Sequence, residues 1–243
     1  MCIICASAAG VPQPSVDTLR RMFQNNPHGA GYMVARGGHV EISKGYMDWS
    51  SFARAIRFEG FGPQDAVVYH FRISTQAGVN PEMTHPFPIT ADIENTRLLE
   101  LQAPMGAAHN GIIRLTTDPT DRTYSDTAHY VAEFLRYFVR DAEDLENPAI
   151  LEAIERTTES KWAIMDGSGH IAILGSGWVK DKGILYSNST FRAVNYRDCG
   201  GRMVTAYYKG GCNYRQFKLE LEPDDYDEDG YEDMPPEGYE LPM

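Results

Sequence analysis

The order in which hydrophobic periodicities follow one another is what most limits the fold of this chain. An apolar run at 2–6 reads as a short buried strand, and Ser15 caps a helix that carries Val16, Leu19 and Phe23 on one face. Residues 32–35 and then Val40 and Ile42 flank Gly37-Gly38, the pattern of a hairpin. A helix with Phe52, Ala53 and Ile56 inward is predicted over 49–58. Residues 67–74 then alternate, with Val67, Tyr69, Phe71 and Ile73 on one face and Val68, His70, Arg72 and Ser74 on the other, so His70 and Arg72 point the same way.

Residues 75–104 read as irregular because Pro81, Pro86, Pro88 and Pro104 interrupt them, and a small-residue strand resumes over 105–113 through His109-Asn110-Gly111. The strongest helix spans 126–140, with Ser125 as its N-cap and Tyr130, Val131, Phe134, Leu135 and Phe138 as its core face. A shorter helix at 148–156 follows, and after it come only strands: 162–165, 170–174, 184–187, and a hairpin of 203–209 and 214–221 around Gly210-Gly211. Strands, then helices, then strands predict an α+β fold with antiparallel sheets, because parallel βαβ units need strands and helices to alternate.

Charge divides the chain. Of its 34 acids, 11 lie at position 220 or later, and no Lys or Arg lies beyond Lys218. The remaining 23 acids nearly balance 22 bases, so the net charge of −12 belongs to the end of the sequence. Residues 1–221 are expected to form one domain, and 222–243 an acidic disordered tail with too little apolar content to fold alone. A folded part without excess positive charge is not expected to bind nucleic acid. No apolar run approaches the roughly 18 residues of a membrane span, and the start lacks a secretory leader, so the expectation is a cytoplasmic protein without membrane contact.

Four cysteines in 243 residues do not make a disulfide scaffold. Cys2 and Cys5 lack a second closely spaced pair, since Cys199 and Cys212 are far apart for zinc, and the histidines show no metal-binding spacing. Gly29-Ala30-Gly31 has no βαβ context for a dinucleotide. Neither metal nor cofactor is expected.

Cys2 is the sharpest chemical feature. Methionine aminopeptidase removes Met1 when the next side chain is small, and the new terminus then holds a thiol and an α-amine on one residue. Such an amine, with a pKa of about 7.7 to 8.0, can act as base for its own thiol. Cys2 is followed by Asn26-Pro27-His28-Gly29-Ala30-Gly31-Tyr32, by His70-Phe71-Arg72-Ile73-Ser74-Thr75-Gln76-Ala77-Gly78, by His85-Pro86-Phe87, by Ala108-His109-Asn110-Gly111 and by Ser125-Asp126-Thr127. In this order and approximate spacing the set resembles the class II glutamine amidotransferase domain, an N-terminal-nucleophile hydrolase, over roughly residues 2–190.

That resemblance implies a four-layer αββα sandwich. It makes Cys2 the nucleophile on the glutamine side-chain amide, with the Asn110 amide and the Gly111 N–H as oxyanion hole. Arg72 then matches the clamp on the substrate α-carboxylate, Asp126 the partner of its α-ammonium, and Thr75 and His85 line the pocket. His70 and His109 read instead as supporting or core histidines, since the α-amine already supplies the base. The chain carries no synthase or isomerase domain, so the ammonia is expected to pass to a separate acceptor protein. Two other readings stand beside this one: hydrolysis of a γ-glutamyl or other linear amide on the same scaffold, and a noncatalytic binding module whose N-terminus stays blocked.

Overall fold

The computed structural model describes residues 2–74, 78–114, 123–192, 194–197, 203–207 and 217–219. Strand β1 (Ile3–Ser7) leads to helix α1 (Val16–Asn25), the hairpin of β2 (Ala30–Arg36) and β3 (His39–Tyr46), helix α2 (Trp49–Glu59) and strand β4 (Val67–Phe71). The short strands β5 (Phe87–Pro88) and β6 (Glu100–Ala103) precede β7 (Met105–Asn110). Helix α3 (Asp126–Tyr130) continues through a π turn (Val131–Leu135) into α4 (Arg136–Phe138), and α5 (Pro148–Thr158) follows. Then come β8 (Lys161–Asp166), β9 (Ile171–Leu174), β10 (Val179–Asp181), β11 (Ile184–Tyr186), β12 (Val194–Arg197), β13 (Met203–Tyr207) and β14 (Phe217–Leu219).

The described strands form three sheets. Seven run in the order β10-β11-β1-β4-β2-β3-β6, four in the order β5-β7-β8-β9, and three in the order β12-β13-β14. Every recorded pairing is antiparallel, so the chain is a mixed α+β protein with antiparallel sheets.

Strand alternation distributes the apolar side chains among three cores. Odd residues of β1 and β4 (Ile3, Cys5, Val67, Tyr69, Phe71) join Leu19, Met22 and Phe23 of α1 and Phe52 of α2. Even residues of the same strands (Ile4, Ala6, Val68) meet Ala108 of β7 and Ala163 and Met165 of β8, so the two larger sheets pack face to face. The other face of β7 and β8 (Met105, Ala107, Trp162, Ile164) packs against Ala128, Tyr130, Val131 and Leu135 of the α3 run and Ile154 of α5. Gly106 permits the close approach of the sheets, since a Cβ there would lie 2.8 Å from Met33 Sδ and 3.2 Å from Ile42 Cδ1.

Several elements differ from their sequence expectation. Strand β4 ends at Phe71, although Arg72 N–H still donates to Gly29 O at 2.8 Å. The stretch expected to be irregular contains β5 and β6, and β10 and β12 are additional strands. The long helix stops at Phe138 and widens by a π turn, while α5 extends to Thr158. Met22 replaces Val16 on the core face of α1, Val16 being 55% exposed in the first turn, and Ala55 packs inward from α2 where Ala53 was expected. The tail 222–243, the Gly210-Gly211 turn, Cys199 and Cys212 lie outside the described residues. Among the described residues no helix is long and apolar enough to cross a membrane.

Candidate active site

The register between β1 and β4, from Ile3↔Phe71 to Ser7↔Val67, carries Cys2 to the end of β4. There Ile73 N–H donates to Cys2 Sγ at 3.3 Å, and the thiol donates to Ile73 O at 3.4 Å. Asn188 Nδ2 donates to Cys2 O at 2.7 Å and fixes the backbone from the other side. Burial pushes the Cys2 thiol up in pKa, against the Ile73 bond and the Arg72 charge, which pull it down. The thiol is therefore protonated at rest, and a base must take its proton for it to attack. Cys5, three positions on, faces the α1/α2 core and is fully buried, so alternation along β1 keeps the two thiols apart.

Arg72 is 4% exposed, and its Nη1 donates to Gly78 O at 2.9 Å. Desolvation lowers its pKa, while the thiolate form of Cys2 and the Asp126 carboxylate favour its protonated form, so Arg72 is coupled to both groups. Asp126 is the first residue of α3, where the N-cap Ser125 accepts from Ala128 N–H at 3.2 Å. Its Oδ2 accepts from Ile113 N–H at 2.7 Å and its Oδ1 from Thr127 N–H at 2.8 Å. Burial raises the Asp126 pKa against these bonds and the attraction of Arg72. A buried guanidinium and a buried carboxylate near one thiol can bind the two charges of an α-amino acid.

Asn110 ends β7, and its Nδ2 donates to Ser187 Oγ at 2.9 Å. The same hydroxyl accepts from Ile4 N–H at 2.9 Å, so Asn110 is tied to β1 two residues from the thiol. Lys161 Nζ donates to Ser187 O and, at 2.8 Å, to Gly177 O. Gly111 has no room for a side chain: a Cβ would overlap Ser160 Oγ and approach Ser160 Cβ to 2.7 Å. Close packing, rather than a turn needing positive φ, accounts for glycine here.

His85 is placed behind these groups, its ring stacked on His70 with centroids 4.3 Å apart and 5% of its surface exposed. The loop that carries it is fastened by the buried Lys44, whose Nζ donates to Glu82 O at 2.7 Å and to Thr96 O and stands 4.1 Å from the Phe87 ring centroid. Burial holds the Lys44 pKa well below that of a free lysine. Thr75 lies outside the described residues.

Ser187 and Asn188 were not anticipated, and His28, although it belongs to the Asn26–Tyr32 motif, was assigned no role. His28 Nδ1 accepts from Ser74 N–H at 2.9 Å and so holds the chain just beyond Arg72, and burial and Arg72 both lower its pKa. A polar run directly after a strand, Ser187-Asn188-Ser189-Thr190, was the available signal. A surface groove of about 820 Å³ lined by Tyr32, Tyr46, Arg54, Phe58, Glu59 and Glu100 among others includes none of the candidate residues. Among the described residues no group of three His, Cys, Asp or Glu could hold a metal ion. Compared with protein-family models and with curated proteins, the chain matches none.

Proposed function

We propose that this protein is a glutamine-dependent amidotransferase module of the N-terminal-nucleophile type, acting in the cytoplasm and passing ammonia to a separate acceptor protein. The observation that carries the reading is the convergence of four residues scattered over the sequence. Arg72 is coupled electrostatically to both Cys2 and Asp126, and Asn110 is bound through Ser187 Oγ to the strand that Cys2 begins. The order of the three cores supports the finer fold as well. Helices α1 and α2 share a core with the seven-stranded sheet, that sheet with the sheet of β5, β7, β8 and β9, and the latter with the helices from α3 to α5, the order an αββα sandwich would have.

In this reading the α-amine of processed Cys2 takes the thiol proton, and the sulfur attacks the side-chain carbonyl carbon of glutamine. Charge develops on the carbonyl oxygen, where Asn110 Nδ2, through the N–H that does not go to Ser187, and Gly111 N–H donate. Collapse of the tetrahedral intermediate breaks the C–N bond, the amine returns the proton, and ammonia leaves. Water then hydrolyses the γ-glutamyl thioester to glutamate and free thiol. Arg72 and Asp126 hold the substrate α-carboxylate and α-ammonium, which lie away from the reacting bond.

The test is ammonia release from glutamine by protein from its own host, with the terminus read by mass spectrometry. The expected result is a processed N-terminus at Cys2, turnover in the wild type, none in Cys2→Ala and normal turnover in Cys5→Ala. Full activity from chains retaining Met1 would refute the N-terminal-nucleophile mechanism, and equal loss in both cysteine variants would point to a paired cysteine site.

A further inference from the structure

One group of buried polar side chains takes no part in the chemistry above: His70, His85 and His109, exposed by 0%, 5% and 2%. His109 lies in β7, which β8 pairs along its full length, from Met105↔Asp166 to Asn110↔Lys161. On the other side β5 pairs only at Phe87↔Ala107 and Pro88↔Gly106. Continued by two residues, that register would set residue 85 opposite His109. It is the His85 ring that meets His109 there, its Nδ1 accepting from His109 N–H at 3.3 Å. The other backbone group of His109, its carbonyl, lies 3.1 Å from Nε2 of His70, which reaches across from the facing sheet. Two imidazoles thus stand where a neighbouring strand ends.

The partners fix the tautomers of His70 and His85. A carbonyl only accepts, so His70 carries its proton on Nε2, and its Nδ1, buried without a partner among the described residues, is the bare nitrogen. A backbone N–H only donates, so Nδ1 of His85 is bare. The ring of His109 meets Thr127 Oγ1 at 2.9 Å through Nδ1, next along the chain from Asp126. Burial lowers the pKa of His70 and of His109 to about 3 and that of His85 well below its ordinary value, so all three are neutral at physiological pH.

We propose that His70 and His85 are positioning residues for the oxyanion hole: by gripping both backbone groups of His109 they hold the next two residues, Asn110 and Gly111, in place. The inference rests on the amidase reading of Cys2. Its physical basis is that Asn110 is the last paired residue of β7 and Gly111 the first beyond it, a strand end with a partner strand on one side only. Donors to a developing oxyanion act only if they are aimed before the charge arrives, and a fraying strand end would lose that aim.

The test uses two pairs of polar, similarly sized variants in the full-length processed protein, so that folding does not decide the outcome. In His85→Asn the side-chain oxygen falls where Nδ1 was, and in His85→Gln it falls one bond further out. In His70→Gln the amide nitrogen falls where Nε2 was, and in His70→Asn it falls short. The expected result is a crossed pattern in kcat for glutamine. Asn is tolerated at 85 and Gln at 70, the opposite choices lose about 10-fold or more, a fraction of the 10²–10³ typical for loss of a whole donor, and KM changes less than twofold. A structural role alone would make kcat follow melting temperature, with no crossing. An active wild type in which both choices behave alike at each position, or in which KM moves and kcat does not, overturns the inference alone. A wild type that releases no ammonia from glutamine overturns the amidase reading, and the inference with it.

Discussion

Acidification should destabilise this fold before its carboxylates titrate, and the buried histidines set the size of the effect. His70 and His109 have folded pKa values of about 3 against an unfolded value of 6.5. Between those values the unfolded chain binds more protons than the native one, so the stability these residues contribute is complete above about pH 6.5 and declines as pH falls toward 3. At pH 5 each histidine lies 1.5 units below its unfolded value, and at about 1.4 kcal/mol per unit each costs about 2 kcal/mol relative to neutral pH. Together they cost about 4 kcal/mol, a large part of the 5–15 kcal/mol typical of a native domain. His85 and His28 are shifted in the same direction and add to the loss. Asp126, whose pKa is raised by burial, opposes it only as pH nears the carboxylate range. The assay is urea unfolding at pH 7 and pH 5, read as the free energy extrapolated to water, with His70→Gln expected to remove about 2 kcal/mol of the pH dependence. Equal stability at the two pH values, or an undiminished pH dependence in His70→Gln, would refute the account of these residues as buried and neutral.

Two further outcomes follow from the site. Gly111→Ala should lower the melting temperature by an amount corresponding to about 1–3 kcal/mol of overpacking, because the new methyl meets Ser160, and it should also depress turnover; a variant as stable and as active as the parent would contradict the packing around Gly111. Arg72→Ala should mainly raise KM for glutamine, since it binds a group equally charged in ground and transition states, whereas Asn110→Ala should mainly lower kcat, by about 10²–10³. Steady-state kinetics separate the two, and the reverse assignment would favour hydrolysis of another amide.

The legible parts of the fold are those in which side-chain period and packing agree. Alternation over 67–74 separated Tyr69 and Phe71, which pack with the helices, from Val68, which meets the facing sheet, and Ser15 and Ser125 cap their helices as their position before apolar runs suggests. Strand β6 was not legible because it is an edge strand with Glu100 and Gln102 exposed, and pairing with β3 rather than a two-sided apolar pattern makes it a strand. The π turn at Val131–Leu135 hides for a different reason. Its apolar residues fit a helical period closely enough that sequence spacing does not register the widened turn.

Within the site, Cys2, Arg72, Asn110 and Asp126 could be named from the sequence because each stands in a short motif of distinctive chemistry. Ser187 and Asn188 could not, because their importance comes only from sheet order. Strand β1 lies between β4 and β11, both antiparallel to it, so the end at which β1 begins is necessarily the end at which its two neighbours finish. Phe71 opposite Ile3 brings Arg72 and Ile73 to the thiol from one side. Tyr186 opposite Cys5 brings Ser187 and Asn188 from the other, where one hydroxyl meets both Ile4 N–H and the Asn110 amide. The thiol at the start of this strand is therefore flanked by the residues that leave the adjacent strands, and residues nearly two hundred positions apart become partners through register alone.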